Sequence, residues 1–236
     1  MSDGTNTAET GTSSSSGIQR LVFLLDVDNT LLNNDRLKQD VAQHLQELLG
    51  ADRSTRFWQL YEEVRTEREF VDYPLTIERL DQEYAREGLR ETLRSYLFNL
   101  PFAGYLYPGA LEAIRYLKSF GLVAILSDGD PVFQPLKIRK CGLESAVDGH
   151  VMIFVHKEHE LPSVFTRYPA DHYVVVDDKP RILSALERFC PTEFTTVLVM
   201  QGKYATPDDY SPRPDDIVPS IADVCGLSLD QLTGVA

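Results

Sequence analysis

The sequence predicts an α/β protein with a doubly wound, Rossmann-like parallel sheet and an inserted α-helical module. Three observations carry that expectation. Five short apolar runs lack the polar alternation of a half-exposed strand: Leu21–Leu25, Leu122–Leu126, Val151–Val155, Tyr173–Val176 and Thr196–Met200. Runs of this kind mark strands covered on both faces, as in parallel sheets. Helical periodicity lies between them, and strands alternating with helices imply crossover units. The gap between the first and second runs far exceeds the dozen or so residues a crossover needs, and most of it has helical spacing.

The first strand ends abruptly at Asp26-Val27-Asp28-Asn29-Thr30. Four helices are expected within the insertion, residues 34–105. Leu37, Val41, Leu45 and Leu48 form one stripe, closed by Gly50, and residues 54–70 carry Phe57, Leu60, Tyr61 and Val64. Thr76 is the expected cap of a third helix, and Leu89, Leu93, Tyr96 and Leu97 form a fourth, stopped by Pro101. Beyond the insertion, Leu111, Ile114 and Leu117 keep a helical period between Pro108-Gly109 and Gly121. The helix within 131–141 must start late or kink, because Pro135 would clash with the carbonyl of Pro131. Pro180 suits a first helical turn, with Ile182, Leu183 and Leu186 behind it. From Thr206 the chain reads as a surface wrap with a short final element. The expected division is a tail at 1–17, a core of 18–33 and 106–236, and a helical unit at 34–105.

A chain of 236 residues with 43% hydrophobic content can build one large core. Its net charge of −13 argues against nucleic acid and anionic membranes. An anionic substrate stays compatible, because a bound cation reverses the local field. No apolar run reaches membrane-spanning length, and residues 1–17 lack the basic start and apolar centre of a secretory signal. Cys141, Cys190 and Cys225 have no metal-ligand spacing, so they are expected to be reduced thiols in a cytoplasmic protein.

In doubly wound sheets, ligands bind beyond the carboxyl ends of the strands. The residues there are Asp26 and Asp28; Ser127, Asp128 and Gly129; His156 and Lys157; Asp177 and Asp178. Asp26 and Asp28 share one side if extended geometry continues through Val27. Two anions so close need a positive partner, and oxygen ligands suit Mg²⁺. The acids can hold metal and move protons, the hydroxyl and glycine suit phosphate oxygens, and the lysine supplies charge.

These residues resemble the four ordered motifs of the haloacid dehalogenase-like (HAD) superfamily: Asp26-Val27-Asp28-Asn29-Thr30, Ser127, Lys157 and Asp177-Asp178. The resemblance covers roughly residues 20–225, and the helical insertion matches that family's cap. It implies a Mg²⁺-dependent phosphatase acting on a small phosphorylated metabolite. Asp26 would form an aspartyl-phosphate and Asp28 would serve as acid and then base. Asp26, Asp177 and Asp178, with the carbonyl of Asp28, would hold the metal. Ser127, with Asp128 and Gly129, would meet the phosphoryl group, and Lys157 would neutralise charge. Two features depart from the pattern. Ile182 and Leu183 stand where many members carry a further acid, and Asp128 and Asp130 place negative charge near the phosphate.

A dehalogenase would use the same nucleophile, but in the resembling dehalogenases the position of Asp28 is not acidic. A phosphomutase shares every motif, and a weakly catalytic regulatory protein could share the fold. A receiver-domain switch is set aside, because its acidic pair precedes the phosphorylated Asp. His156, His159 and His172 are expected to be structural or solvent-facing. Phe57, Trp58 and Tyr61 are expected to be core, and Arg65, Arg68, Arg139 and Lys140 to be solvated.

Overall fold

The computed structural model describes residues 20–84, 88–189, 194–205 and 211–234. The expected tail, Cys190 and the first residues of the C-terminal wrap lie outside this set. Six parallel strands form one sheet: β1 (Leu21–Leu25), β2 (Leu122–Asp128), β3 (Val151–Phe154), β4 (His172–Asp177), β5 (Phe194–Val199) and β6 (Asp216–Val218). Their order is β3-β2-β1-β4-β5-β6, with Val22 opposite both Leu122 and Tyr173. Successive strands are laid down on one side of β1 up to β3 and on the other side from β4, and this switch in order makes a crevice beyond β1 the natural ligand site.

β1 shows why the run Leu21–Leu25 lacks alternation. Leu21, Phe23 and Leu25 join one buried cluster, while Val22 and Leu24 join another on the opposite face. Ten helices accompany the sheet among the described residues. Four lie between β1 and β2: α1 (Asn34–Leu49), α2 (Ala51–Arg68), α3 (Tyr73–Tyr84) and α4 (Leu89–Phe98). α5 (Ala110–Lys118) leads into β2. α6 (Phe133–Lys140) and the single turn α7 (Leu143–Ala146) follow it. α8 (Leu161–Arg167) and α9 (Pro180–Phe189) cover the second face through Leu161, Val164, Ile182, Leu183 and Leu186, and α10 (Leu229–Thr233) closes the chain.

The four inserted helices are held by apolar packing. Phe57, Leu60, Leu80, Leu93 and Leu97 are buried, each contributing about 1.5–3 kcal/mol. The ion pairs joining α2 to α3, Arg56 with Glu83 and Arg79 with Glu67, are exposed and add little.

Several expectations change in detail. The stripe on α1 is completed by Leu49, with Leu48 only half-buried. α3 begins at Tyr73 because Asp72 caps it, its Oδ1 accepting the Leu75 N–H at 2.9 Å. Thr76 is therefore inside the helix and donates its hydroxyl back to the Asp72 carbonyl. α6 starts at Phe133, which places Pro135 in the first turn, where no intrahelical N–H is needed. β3 is an edge strand and half-buried rather than covered on both faces, and Val155 beyond it is exposed. The C-terminal segment also adds a sheet strand, β6, and a 3₁₀ turn at Ile221–Gly226 that buries Ile221 and Val224.

β1 does not continue as extended chain. The Val27 carbonyl accepts N–H groups from Thr30, Leu31 and Leu32, and Asn29 takes φ 68°. Asn tolerates that left-handed conformation, and its Oδ1 accepts the N–H groups of Asn34 and Asp35 as α1 begins. Leu32 then bridges antiparallel to Leu106.

Candidate active site

The expected residues converge beyond the carboxyl ends of β1, β2 and β4. Asp26 continues the pairing of β1, its N–H donating to the Val176 carbonyl at 3.0 Å. Its side chain is 2% exposed. Lys157 arrives from beyond β3, and its fully enclosed ammonium lies 2.5 Å from Asp26 Oδ1 and 2.6 Å from Asp177 Oδ2. The Thr30 hydroxyl donates to Asp26 Oδ2 at 3.3 Å. Burial works against the Asp26 carboxylate, but Lys157 and Lys179 outweigh it and hold the group below its ordinary range. For Lys157, burial is likewise outweighed, by Asp177, Asp26 and Asp128, and the ammonium titrates above its usual range.

Asp26, Asp177 and Asp178 each place a carboxylate oxygen within 4.8 Å of the others. Asp177 is committed: Oδ2 meets Lys157, and Oδ1 accepts the Lys179 N–H at 2.9 Å. Both oxygens of Asp178 are buried with no hydrogen-bond partner among the described residues. Burial, then the charges of Asp177 and Asp26, push the Asp178 carboxyl up to about 9. Three carboxylates against Lys157 and Lys179 leave an excess negative charge. An enclosed oxygen pair without a donor, inside an all-oxygen set, fits a hard divalent cation such as Mg²⁺.

Asp28 stands apart from that cluster. The turn at Val27 aims its carboxylate at α6, where Lys137 Nζ forms an ion pair with Oδ1 and Gln134 Nε2 reaches Oδ2 at 3.4 Å. The positive charge expected between Asp26 and Asp28 is thus divided between two lysines, one for each acid. Gln134 also donates to Ser127 Oγ at 2.9 Å. Lys137 and Gln134, buried on one face of α6 at i and i+3, escape sequence reasoning. The available signal is a lysine between Leu136 and Ile138 with a glutamine one turn before it.

Asp128 organises cations instead of repelling phosphate. Its Oδ1 accepts the Lys157 N–H at 2.9 Å and its Oδ2 lies 3.9 Å from Lys179 Nζ. Gly129 lines the cavity, but its N–H already donates to the Phe154 carbonyl. Its lack of a side chain matters more, because a Cβ there would lie 2.6 Å from Gln134 Cβ. Asp130 faces its own helix, accepting the N–H groups of Val132 and Phe133.

A cavity of about 500 Å³ opens over this floor, between the sheet end and the inserted helices. Asp28, Lys137 and Lys179 line its base, and Lys38, Tyr61, Tyr73 and Phe133 line its wall. Tyr61 thus borders the cavity as well as the core, whereas Phe57 is wholly core. Arg65 also reaches the cavity, paired with Glu62. Lys140 instead ties α6 to the Phe98 carbonyl. His156 is exposed near Glu69, and His172 is buried against Thr195.

Residues 21–189 match the family model for haloacid dehalogenase-like hydrolases. A haloacid dehalogenase-like hydrolase from Burkholderia xenovorans LB400 is 43% identical over 91% of this chain and 99% of its own, with a TM-score of 0.82. The chain belongs to the haloacid dehalogenase-like hydrolase family. More distant structures share the fold alone. A magnesium-bound HAD hydrolase from Bacillus subtilis is 16% identical, covering 87% of this chain and 97% of that one, TM-score 0.57. An L-2-haloacid dehalogenase from Xanthobacter autotrophicus with covalently bound chloropropionic acid is 18% identical, over 91% and 99%, TM-score 0.59. No curated protein sequence matches the chain.

Proposed function

We propose that the chain is a Mg²⁺-dependent phosphohydrolase of small phosphorylated metabolites. The carrying observation is Asp178, whose two buried, partnerless oxygens stand beside Asp26 and Asp177. A third buried carboxylate with no donor of its own favours a bound cation, and metal-assisted phosphoryl transfer is the chemistry that uses one. Asp26, Asp178 and Asp177 would hold Mg²⁺, which supplies positive charge for the phosphoryl oxygens.

Asp26 attacks phosphorus and forms an aspartyl-phosphate while the ester oxygen departs. Lys157 fixes the nucleophile and neutralises charge as it builds. Asp28, aimed by Lys137 and Gln134, would take up a proton and pass it to the departing oxygen. It would then accept one from the water that attacks the aspartyl-phosphate, breaking the Asp26–phosphorus bond and releasing phosphate. Ser127, steered by Gln134, meets the phosphoryl oxygens. The helices α1–α4 act as a cap that limits substrate size and excludes water. A substrate entering that enclosure is a small anion.

Phosphate release from a panel of phosphomonoesters, with Mg²⁺ and with EDTA, tests the reading. Wild type should release phosphate only with metal, and Asp26→Asn should lose at least a thousandfold. Chloride release from 2-chloropropionate in EDTA, without phosphate release from any ester, would instead establish a dehalogenase.

A further inference from the structure

The wall of the cavity holds polar groups that the chemistry above leaves unused. Tyr61, on α2, is 2% exposed, and its hydroxyl has no hydrogen-bond partner among the described residues. A buried, unpaired hydroxyl costs about 1–3 kcal/mol unless something satisfies it. Lys38, on α1, places its ammonium 5.3 Å from the centre of the Tyr61 ring and forms no ion pair among the described residues. Lys203, on the loop after β5, lies over the Tyr204 ring at 4.9 Å, and its ammonium likewise forms no ion pair among them. All three line the same cavity as Asp28 and Lys137.

Acids bordering the cavity already have partners of their own. Asp35 Oδ2 accepts the Lys203 backbone N–H at 3.1 Å, Glu69 faces His156, and Asp130 caps its own helix. Arg65 is already matched by Glu62. Two ammoniums without ion pairs and one hydroxyl without a hydrogen-bond partner, among the described residues, therefore line one cavity. The Tyr61 hydroxyl is held in its protonated form by burial, and it feels the charges of both Asp28 and Lys203.

We infer that Lys38, Tyr61 and Lys203 form a second anion subsite, so that the substrate is a phosphate ester whose leaving group carries its own carboxylate or second phosphate. This rests on reading the cavity as the phosphoryl site, and it adds what lies at the far end. Ammonium and phenol donors together match an acceptor-only anion, and a neutral alcohol would leave both lysines unpaired. A cavity of about 500 Å³ accommodates both groups of a small ester.

Binding, rather than turnover, is the direct test. Trp58 is the chain's single tryptophan and lies edge-on to Tyr61 at 5.2 Å, so its fluorescence reports occupancy. Methylphosphonate, phosphonoacetate and methylenediphosphonate are titrated into the Mg²⁺-loaded protein. Wild type should bind one of the two dianion-bearing probes at least tenfold more tightly than methylphosphonate. The tighter of the pair identifies carboxylate or phosphate as the second group. In Tyr61→Phe and Lys38→Gln that preference should fall below threefold. Equal binding of all three probes by wild type, or a preference kept intact in both variants, overturns the inference. Preference without phosphate release from any ester would sink the phosphatase reading and leave the subsite standing.

Discussion

Lys157 is the residue on which the site's electrostatics turn. Its ammonium neutralises two enclosed carboxylates at once, and removing one partner of such a group leaves an uncompensated buried charge. Lys157→Met should therefore cost about 3–5 kcal/mol of stability in urea unfolding at neutral pH, far more than any surface lysine. His172 gives a pH signature remote from the catalytic cluster. Burial lowers its affinity for a proton, with Asp215 opposing. Above its ordinary value the ring is neutral folded or unfolded. Below it, the unfolded chain takes the proton more readily, so stability falls as pH drops. As the pH falls from 7 to 5, wild type should lose stability through this group. His172→Gln should flatten that slope in denaturation curves at stepped pH. At this scale the convergence of Asp26, Lys157 and the Asp177-Asp178 pair was legible, because each follows an apolar run directly. Lys137 and Lys38 were not: a helical lysine reads as solvated until the fold shows what it faces.

Among the elements, α6 shows how a glycine and a helix face cooperate. Gly129 leaves room for Gln134, which reaches both Ser127 and Asp28. Gly129→Ala should displace Gln134, lower kcat and cost about 1–3 kcal/mol through overpacking, read in steady-state kinetics beside thermal unfolding. Gly109 plays a different part at the start of α5. It has φ 84°, and a Cβ there would lie 2.5 Å from Ala222 Cβ and 2.8 Å from its Cα. Gly109→Ala should cost about 1–3 kcal/mol through backbone strain and overpacking, read as a lowered urea midpoint. Most strands were legible because burial on both faces removes alternation. β6 was not, since three residues between prolines and aspartates carry no period. The start of α3 was misplaced because Asp72 and Thr76 are both good caps, and only Asp72 meets an open N–H.

For the molecule as a whole, the proposed metal site would couple Mg²⁺ binding to folding. A ligand that binds only the folded state, present at a hundred times its Kd, adds about 2.7 kcal/mol. For a chain of 236 residues this should raise the thermal midpoint by roughly 5–10 °C. Asp178→Asn should abolish most of that Mg²⁺-induced rise in calorimetry. The α/β architecture was legible from the alternation of runs and periods. The aim of Asp28 was not, because the turn at Val27 depends on backbone hydrogen bonds that no residue pattern announces.

The helices inserted after β1 enter and leave the sheet through one doorway. Leu32 bridges Leu106, the Asn33 N–H donates to Tyr105, and the Tyr107 N–H donates to Leu31. The two ends of the insertion are thus hydrogen-bonded neighbours, and the strands beneath are already paired without it. An exchange made at this doorway leaves the catalytic floor uncut. Whatever is grafted there must match a doorway one strand pair wide, the apolar ground around Phe102 and Phe133, and the polar ties that Lys140 and Lys203 make to the inserted helices. In this architecture selectivity can be recombined as a cassette while the chemistry stays fixed.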